Sequence, residues 1–226
     1  RAQRAPEAPE LFWNGDHHAT FAFQLDNPDL DIETAHTIDL NWIWKSDNNE
    51  IRLATYYYQF DDYIYNDLKS ETDPFHGNDV YRHEQEDASF TGAEASWSHI
   101  VTMNWSFDLS ADVVNAKLDD GRHLPRTPPA SFLAGLEWGN QSWEARTELR
   151  AVAEQSNTAD NETTSDGYLM LNASVGYQFL LNNSELTLRL DGRNLTDQYA
   201  VNHVSYLKRA APLPGRDIRF GVRWAF

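Results

Sequence analysis

The last eleven residues of the chain, 216–226, alternate between apolar and polar or small side chains. One face carries Ile218, Phe220, Val222, Trp224 and Phe226, and it stays apolar to the final residue. Because successive side chains of a strand point to opposite faces, this segment is predicted to be a β-strand. A free apolar terminus in water tends to fray or aggregate. In a membrane barrel, lipid covers the apolar face and a polar lumen lies behind it, so the segment indicates a transmembrane strand.

The same alternation recurs upstream, which makes it a property of the architecture. Residues 169–181 place leucine, valine and aromatic side chains in phase, against mainly polar or small residues on the other face. Residues 143–153 carry four charges on one face, namely Glu144, Arg146, Glu148 and Arg150. A sandwich core would bury these charges at high cost, whereas a water-filled lumen can hold them as cross-strand pairs.

The segments between the predicted strands alternate in length. Nine strands are predicted, at about 37–44, 50–65, 83–98, 103–118, 130–139, 143–153, 167–181, 186–198 and 216–226. Long connections at 66–82, 119–129, 155–166 and 199–215 alternate with short turns such as 46–49, 140–141 and 182–183, and residues 1–33 are predicted to be irregular. Short turns at one end and long loops at the other are typical of outer-membrane barrels. The prediction is an all-β, transmembrane antiparallel β-barrel.

Composition narrows the classes of partner and ligand. The chain has 18 basic and 35 acidic residues, which argues against nucleic acid as a partner because phosphate binding requires a basic surface. Cysteine is absent, so a metal site must be built from His, Asp, Glu or Asn. The sequence contains no run of about 18 apolar residues, so it predicts no transmembrane helix. Bacterial barrels have an even number of strands, so nine strands cannot close one. The first residues also read as mid-protein sequence. Both observations predict a fragment whose earlier strands precede residue 1.

Three motifs resemble those of the TonB-dependent outer-membrane receptors. Arg4-Ala5-Pro6 followed by Glu10-Leu11 resembles the Arg-Ala-Pro box of that family. The run from Gly192 to Tyr199 resembles its Gly-x-Asn-Leu-Phe-Asp-x-x-Tyr element, with Thr196 in place of the usual aromatic residue. The Pro-Gly-Arg sequence at 214–216, before a strand that ends in Phe226, resembles its C-terminal signature.

This resemblance implies the architecture and the partners. The family fold is a 22-stranded barrel plugged by an N-terminal domain, and residues 1–226 would be its last nine strands, without the plug and earlier strands. The implied location is the outer membrane of a Gram-negative bacterium. The implied partners are membrane lipid and lipopolysaccharide, the missing strands and plug of the same receptor, and the TonB complex through that plug. An enzyme is not expected, because no catalytic constellation has a specific spacing, and no prosthetic group is expected.

Within the family, residues 11–20 and 27–33 resemble the zinc-uptake receptors. The features are Leu11-Phe12-x-Asn14-Gly15-x-His17-His18-Ala19-Thr20 and Asn27-Pro28-x-Leu30-x-x-Glu33. Haem receptors share an Arg-Ala-Pro box, a downstream His and an Asn-Pro-x-Leu box, so haem stays open as an alternative. Siderophore receptors share the first box and usually lack the His pair.

The candidate metal ligands are imidazoles and one carboxylate in or beside the predicted loops. They are His17, His18, Asp16, His76, His83 and His203. Imidazole and carboxylate suit Zn²⁺ when no thiol is offered, so Zn²⁺ is the expected transported substrate. Acidic residues of the same region would concentrate cations by focusing the field, and they include Asp61, Asp62, Asp67, Asp73, Asp79, Glu84, Glu86 and Asp87. Haem propionates would call for Arg or Lys, of which this part of the chain has few.

Other interpretations of the same residues stay open. Adjacent residues such as His17 and His18 cannot both point the same way on a strand. Acidic loops could simply solvate a cell surface, or bind Ca²⁺ and the divalent ions that bridge lipopolysaccharide. A passive surface barrel, such as an adhesin or phage receptor, would also use loops of this kind. Haem or ferric-siderophore uptake is the alternative within the transport class.

Overall fold

The computed structural model describes residues 1–182 and 184–226, and its main feature is one antiparallel sheet of long strands. The elements are β1 Ala2–Arg4, α1 Ala8–Phe12, β2 Gly15–His17, β3 Ala22–Leu25, β4 Glu33–Lys45, β5 Asn49–Thr72, β6 Asp79–Ile100, β7 Trp105–Leu118, β8 Ser131–Gly139, β9 Trp143–Val152, β10 Tyr168–Leu181, β11 Ser184–Arg193 and β12 Asp217–Ala225. The nine long strands, β4 to β12, correspond one for one to the nine predicted strands. The all-β antiparallel prediction is confirmed.

Consecutive long strands are neighbours throughout the sheet. The order is β1-β4-β5-β6-β7-β8-β9-β10-β11-β12, and the short strand β3 pairs with β2 and runs parallel to β6. In the described part of the chain the sheet is open, with β1 and β12 at its edges. It is therefore part of a barrel wall. The five-residue helix α1 falls far short of the length and apolarity needed to cross a membrane, and no other described segment is an α-helix.

The two faces of the sheet differ as the alternation predicts. On the outer face, Trp97 pairs with Leu109, and Phe220 and Trp224 are each 67% exposed. The inner face holds charged side chains in ion pairs. Two of these pairs are Arg146 with Asp108 and Arg189 with Glu144, each at 2.7 Å. Charges that would be costly in a dry core are thus paired across strands on one face.

The connections differ from the prediction at several places. Residues 1–33 are not simply irregular, because they contain β1, α1, β2 and β3. The connection predicted at 66–82 shrinks to residues 73–78, since β5 and β6 continue to pair beyond a β-bulge between Phe60 and Tyr63. Lys69 links Asp67 to Glu84 at 2.9 and 2.5 Å, which offsets the acidic charge that had favoured a loop there.

Two further predictions concern the strand at 186–198 and the turn that precedes it. The strand predicted at 186–198 ends at Arg193, because Asn194 and Asp197 adopt left-handed backbone conformations with φ of 47° and 53°. These conformations cannot continue a strand. The predicted turn at 182–183 includes Asn183, which lies outside the described residues.

A small apolar cluster covers the inner face near the long loops. It consists of Tyr65, Ala88, Ala116, Leu118 and Leu124, and Phe60, Tyr63 and Phe90 pack against it. The β7–β8 connection, residues 119–130, folds back over this cluster. Its backbone continues the ladder, since Leu124 N–H donates to the Ala116 carbonyl at 3.1 Å.

Gly167 allows a close backbone crossing just before β10. A Cβ at this position would lie 2.8 Å from Glu154 N and 2.9 Å from Val152 O, and both are backbone atoms. Gly167→Ala is therefore expected to destabilise the protein by about 1–3 kcal/mol through overpacking. Gly221→Ala is the matched control, because the nearest atom to its Cβ would be 4.0 Å away. Urea unfolding of the complete receptor checks this, and equal midpoints for the two variants would contradict it.

Candidate metal centre

The predicted metal ligands all lie at one end of the sheet. The short connections 46–48, 101–104 and 140–142 join strands at the opposite end. The connections 73–78, 119–130, 153–167 and 194–216, together with the N-terminal residues before β4, gather at what we call the loop end. Asp16, His17, His18, His76, His83 and His203 belong to these segments or to strand residues beside them.

Strand pairing brings Asp16 next to the β5–β6 tip, residues 73–78. Asp16 lies in β2 opposite Phe23 of β3, and β3 runs beside the start of β6 in parallel. The β2–β3 hairpin is thereby placed against the tip. Asp16, Asp73 and His76 meet there, with one potential ligand atom from each lying within 4.8 Å of the others.

Short contacts define this cluster. His76 Nδ1 lies 2.9 Å from Asp16 Oδ2 and 3.3 Å from Asp73 Oδ2. Asn78 Nδ2 donates to Asp16 Oδ1 at 3.1 Å and holds that carboxylate in place. The tip itself is closed by hydrogen bonds from Asp73 N–H to the Asn78 carbonyl and from Gly77 N–H to the Asp73 carbonyl, both at 2.9 Å. Gly77 has a φ of 71°, a conformation that glycine adopts without strain.

Asp73 is the unusual member of the cluster. Its side chain is 0% exposed, and its Oδ2 accepts a hydrogen bond from His76 N–H at 2.7 Å. Within the described residues, its other oxygen, Oδ1, has no hydrogen-bond partner. A buried carboxylate with an unsatisfied oxygen is costly unless a cation compensates it. The sequence had indicated Asp73 only as part of the acidic background, although its Asp-x-x-His spacing to His76 was visible.

The donor set suits a divalent transition metal. One imidazole nitrogen and two carboxylate oxygens are typical ligands of Zn²⁺. Three protein ligands would leave a fourth position for water or for another side chain. His76 is largely exposed, so this position can be reached from solvent.

The other predicted ligands lie elsewhere. His17 and His18 are exposed, and His17 Nδ1 is 2.8 Å from Thr20 Oγ1. His83 is half-buried in β6 and lines a separate cavity. His203 is fully buried between two loops. The structure thus unites Asp16 and His76 with Asp73, and it does not bring His17, His18, His83 or His203 into that cluster.

His203 takes part in a buried network that joins the loops 153–167 and 194–216. Its Nδ1 lies 2.8 Å from Ser165 Oγ, and its Nε2 lies 3.3 Å from Glu162 Oε1. Lys208 Nζ is 3.2 Å from the same glutamate oxygen and also donates to the Thr163 carbonyl at 2.6 Å. The arrangement of Ser165, His203 and Glu162 resembles the serine, histidine and carboxylate of a hydrolytic triad. All three side chains are enclosed, however, and a substrate could not reach the serine.

Glu162 is ionised well below the usual range of a carboxyl group. Burial opposes ionisation, but the His203 imidazole beside the carboxylate, the charge of Lys208 and the Arg126 backbone N–H outweigh it. They lower the pKa of Glu162 to about 2. Burial also lowers the pKa of Lys208. Because a depressed carboxyl pKa stabilises the fold only while the group is charged, this contribution is present above about pH 4.5 and is lost as the pH falls towards 2.

We therefore expect the loop 153–167 to loosen in acid. A spin label can be attached to the complete receptor through Asp160→Cys, and residues 1–226 contain no cysteine that would compete for it. Label mobility should rise as the pH falls from about 4.5 to 2, and Glu162→Gln should be mobile already at neutral pH. Glu154→Gln, at an exposed site in the same loop, should behave like the parent protein. An unchanged spectrum for Glu162→Gln at neutral pH would show that the network does not hold the loop.

Comparison with known proteins identifies the class. The family model described as "TonB dependent receptor-like, beta-barrel" matches residues 1–195. The chain belongs to this family, whose members are outer-membrane receptors and transporters of Gram-negative bacteria and not enzymes.

Solved structures show the same fold at low sequence identity. The copper transporter OprC is 22% identical with a TM-score of 0.78, over 99% of this chain and 35% of that one. The ferric-catecholate import receptor Fiu from K12 E. coli is 17% identical with a TM-score of 0.65, over 99% and 31%. FpvA from P. aeruginosa, bound to heterologous pyoverdines, is 14% identical with a TM-score of 0.65, over 86% and 27%. The chain spans about a third of the length of these proteins.

Proposed function

We propose that this chain is the C-terminal part of the barrel of a TonB-dependent outer-membrane receptor that takes up zinc. The observation that carries the proposal is the Asp16, Asp73 and His76 cluster at the loop end, with its buried and incompletely satisfied carboxylate. Family membership supports a transport role. In a complete receptor the loops would capture the ion, and movement of the plug, driven by the TonB complex, would let it pass.

The charge of the chain favours a cation as the substrate. The formal net charge is −17, and many of the acidic residues belong to the loop end. Such a field raises the local concentration of cations at the mouth of a barrel. The same residues would face lipopolysaccharide and its bridging divalent ions, which we propose as a second partner of this surface.

The ligands that this chain offers favour zinc over copper as the substrate. Cu(I) selects thiolate and thioether ligands, but the chain has no cysteine and two methionines. Met103 lies in a short turn at the opposite end of the sheet, and Met170 lies in β10. Nitrogen and oxygen donors bind Cu(II) more tightly than Zn²⁺ at equal concentration. Competition with Cu(II) is therefore part of the test.

The experiment uses the complete receptor purified from outer membranes. Elemental mass spectrometry with a visible spectrum should find about one zinc ion per chain and no Soret band. Calorimetric titration of the metal-stripped receptor with Zn²⁺ should then show saturable binding, and the titration is repeated with Cu(II) as the competitor. A Soret band or bound iron would support haem or ferric-siderophore uptake instead. A receptor that binds none of these ligands would support a passive surface role.

A further inference from the structure

A cavity separate from the metal cluster lies between the loops and the parts of β5 and β6 near the loop end. Its volume is about 360 Å³, which falls within the range of small-molecule sites. Tyr63, Phe90 and Val114 supply apolar wall, and Arg126 and Tyr206 come from two different loops. A molecule held here would contact both loops and the sheet.

Arg126 is the cationic group of this cavity. Its guanidinium lies 4.2 Å from the centre of the Tyr206 ring and 5.9 Å from that of Tyr81. Within the described residues, the guanidinium donates one hydrogen bond, a long one of 3.4 Å to the Asn66 carbonyl.

The backbone N–H of Arg126 donates to Glu162, but its guanidinium lacks a carboxylate partner in a chain with 35 acidic residues. Its guanidinium forms no ion pair within the described part of the chain, although the residue is half-buried. Other arginines without an ion pair there, such as Arg82 and Arg223, are exposed to water. Glu10 also lines the cavity, but Arg4 already pairs with it at 3.0 Å. The planar donor fork of Arg126 is thus free for an anion.

The same wall contains two polar atoms with unmet hydrogen bonds. Asn66 and His83 are directly paired across β5 and β6, and both line the cavity. Asn66 Nδ2 donates to Gln24 and Tyr206, so its unpartnered atom is the acceptor Oδ1. His83 Nδ1 is likewise enclosed without a partner among the described residues. The cavity therefore offers an unpaired cation, aromatic walls and spare hydrogen-bonding capacity.

From this arrangement we infer that the cavity binds a small organic carboxylate, a function that goes beyond zinc capture. The Arg126 fork matches a carboxylate in a bidentate manner. The walls formed by Tyr63, Phe90 and Val114 cover a carbon body, preferably a ring. Inorganic phosphate would meet the charge but would leave these walls without contacts.

The test titrates the complete receptor with benzoate and follows saturation-transfer NMR signals of the ligand. Arg126→Gln should weaken binding about tenfold or more, and Arg126→Lys, which keeps the charge but not the fork, should weaken it less. Arg82→Gln is the matched control, because it removes an exposed, unpaired arginine beside His83. Val114→Phe should abolish binding by filling the cavity while every polar group is kept.

The outcomes separate this site from the metal site. Asp73→Asn should leave benzoate binding unchanged, so that failure of zinc binding and failure of carboxylate binding are distinguishable. Benzoate binding that survives both Arg126→Gln and Val114→Phe would overturn the assignment, as would absence of binding to the parent receptor. Phosphate that binds as tightly as benzoate would overturn the organic character of the ligand.

Discussion

Asp73→Asn in the complete receptor is expected to weaken Zn²⁺ binding by about a hundredfold or more, since loss of even a supporting group around a metal costs about 10–100-fold. The amide keeps the size and the burial of the side chain but removes its negative charge. The hydrogen bond from His76 N–H to the side-chain oxygen can persist, so the tip 73–78 should keep its shape. Calorimetric titration of the metal-stripped receptor measures the effect.

Two comparisons make this prediction specific. Asp29→Asn removes the same charge from an exposed site in the N-terminal segment, and it should leave Zn²⁺ affinity nearly unchanged. His17→Ala combined with His18→Ala tests the pair that the sequence favoured. If that double variant abolishes binding while Asp73→Asn does not, the ion binds at the histidine pair and not at the cluster.

Asn194→Ala is expected to produce the largest loss of stability, about 3 kcal/mol, because several hydrogen bonds disappear at a strained position. The Asn194 amide donates to the carbonyls of Gln198 and Pro214 at 2.8 and 3.1 Å and accepts from Gln198 N–H at 2.8 Å. The residue is 3% exposed with a φ of 47°, a conformation that Asn tolerates better than Ala. Urea unfolding of the complete receptor measures the loss.

Two further variants divide this effect into its causes. Asn194→Gly keeps the left-handed backbone and loses only the side-chain bonds, so its stability should fall between those of Asn194→Ala and the parent. Asn115→Ala, at an exposed position in β7, should change stability little. Equal unfolding midpoints for Asn194→Ala and Asn115→Ala would refute a structural role for Asn194 in the family motif.

The sequence by itself determined the strands and the two faces of the sheet. Alternation with a period of two is local, so residues such as Ile218 to Phe226 specify their own conformation and which face of the strand is apolar. The charges of β9 were also readable as an inner face, since each falls on the same side of one strand. The family motifs added the connection to TonB-dependent receptors.

Tertiary structure alone decided which loop residues meet. Asp16 reaches Asp73 and His76 because β3 runs parallel to β6, a pairing between distant segments that no local pattern encodes. Charge along the chain predicted a loop at 66–82, but cross-strand ion pairs such as those of Lys69 extend the strands instead. Burial is likewise a property of the assembled loops, and it turned His203 from a candidate ligand into part of an internal network while leaving an Asp73 oxygen without a partner.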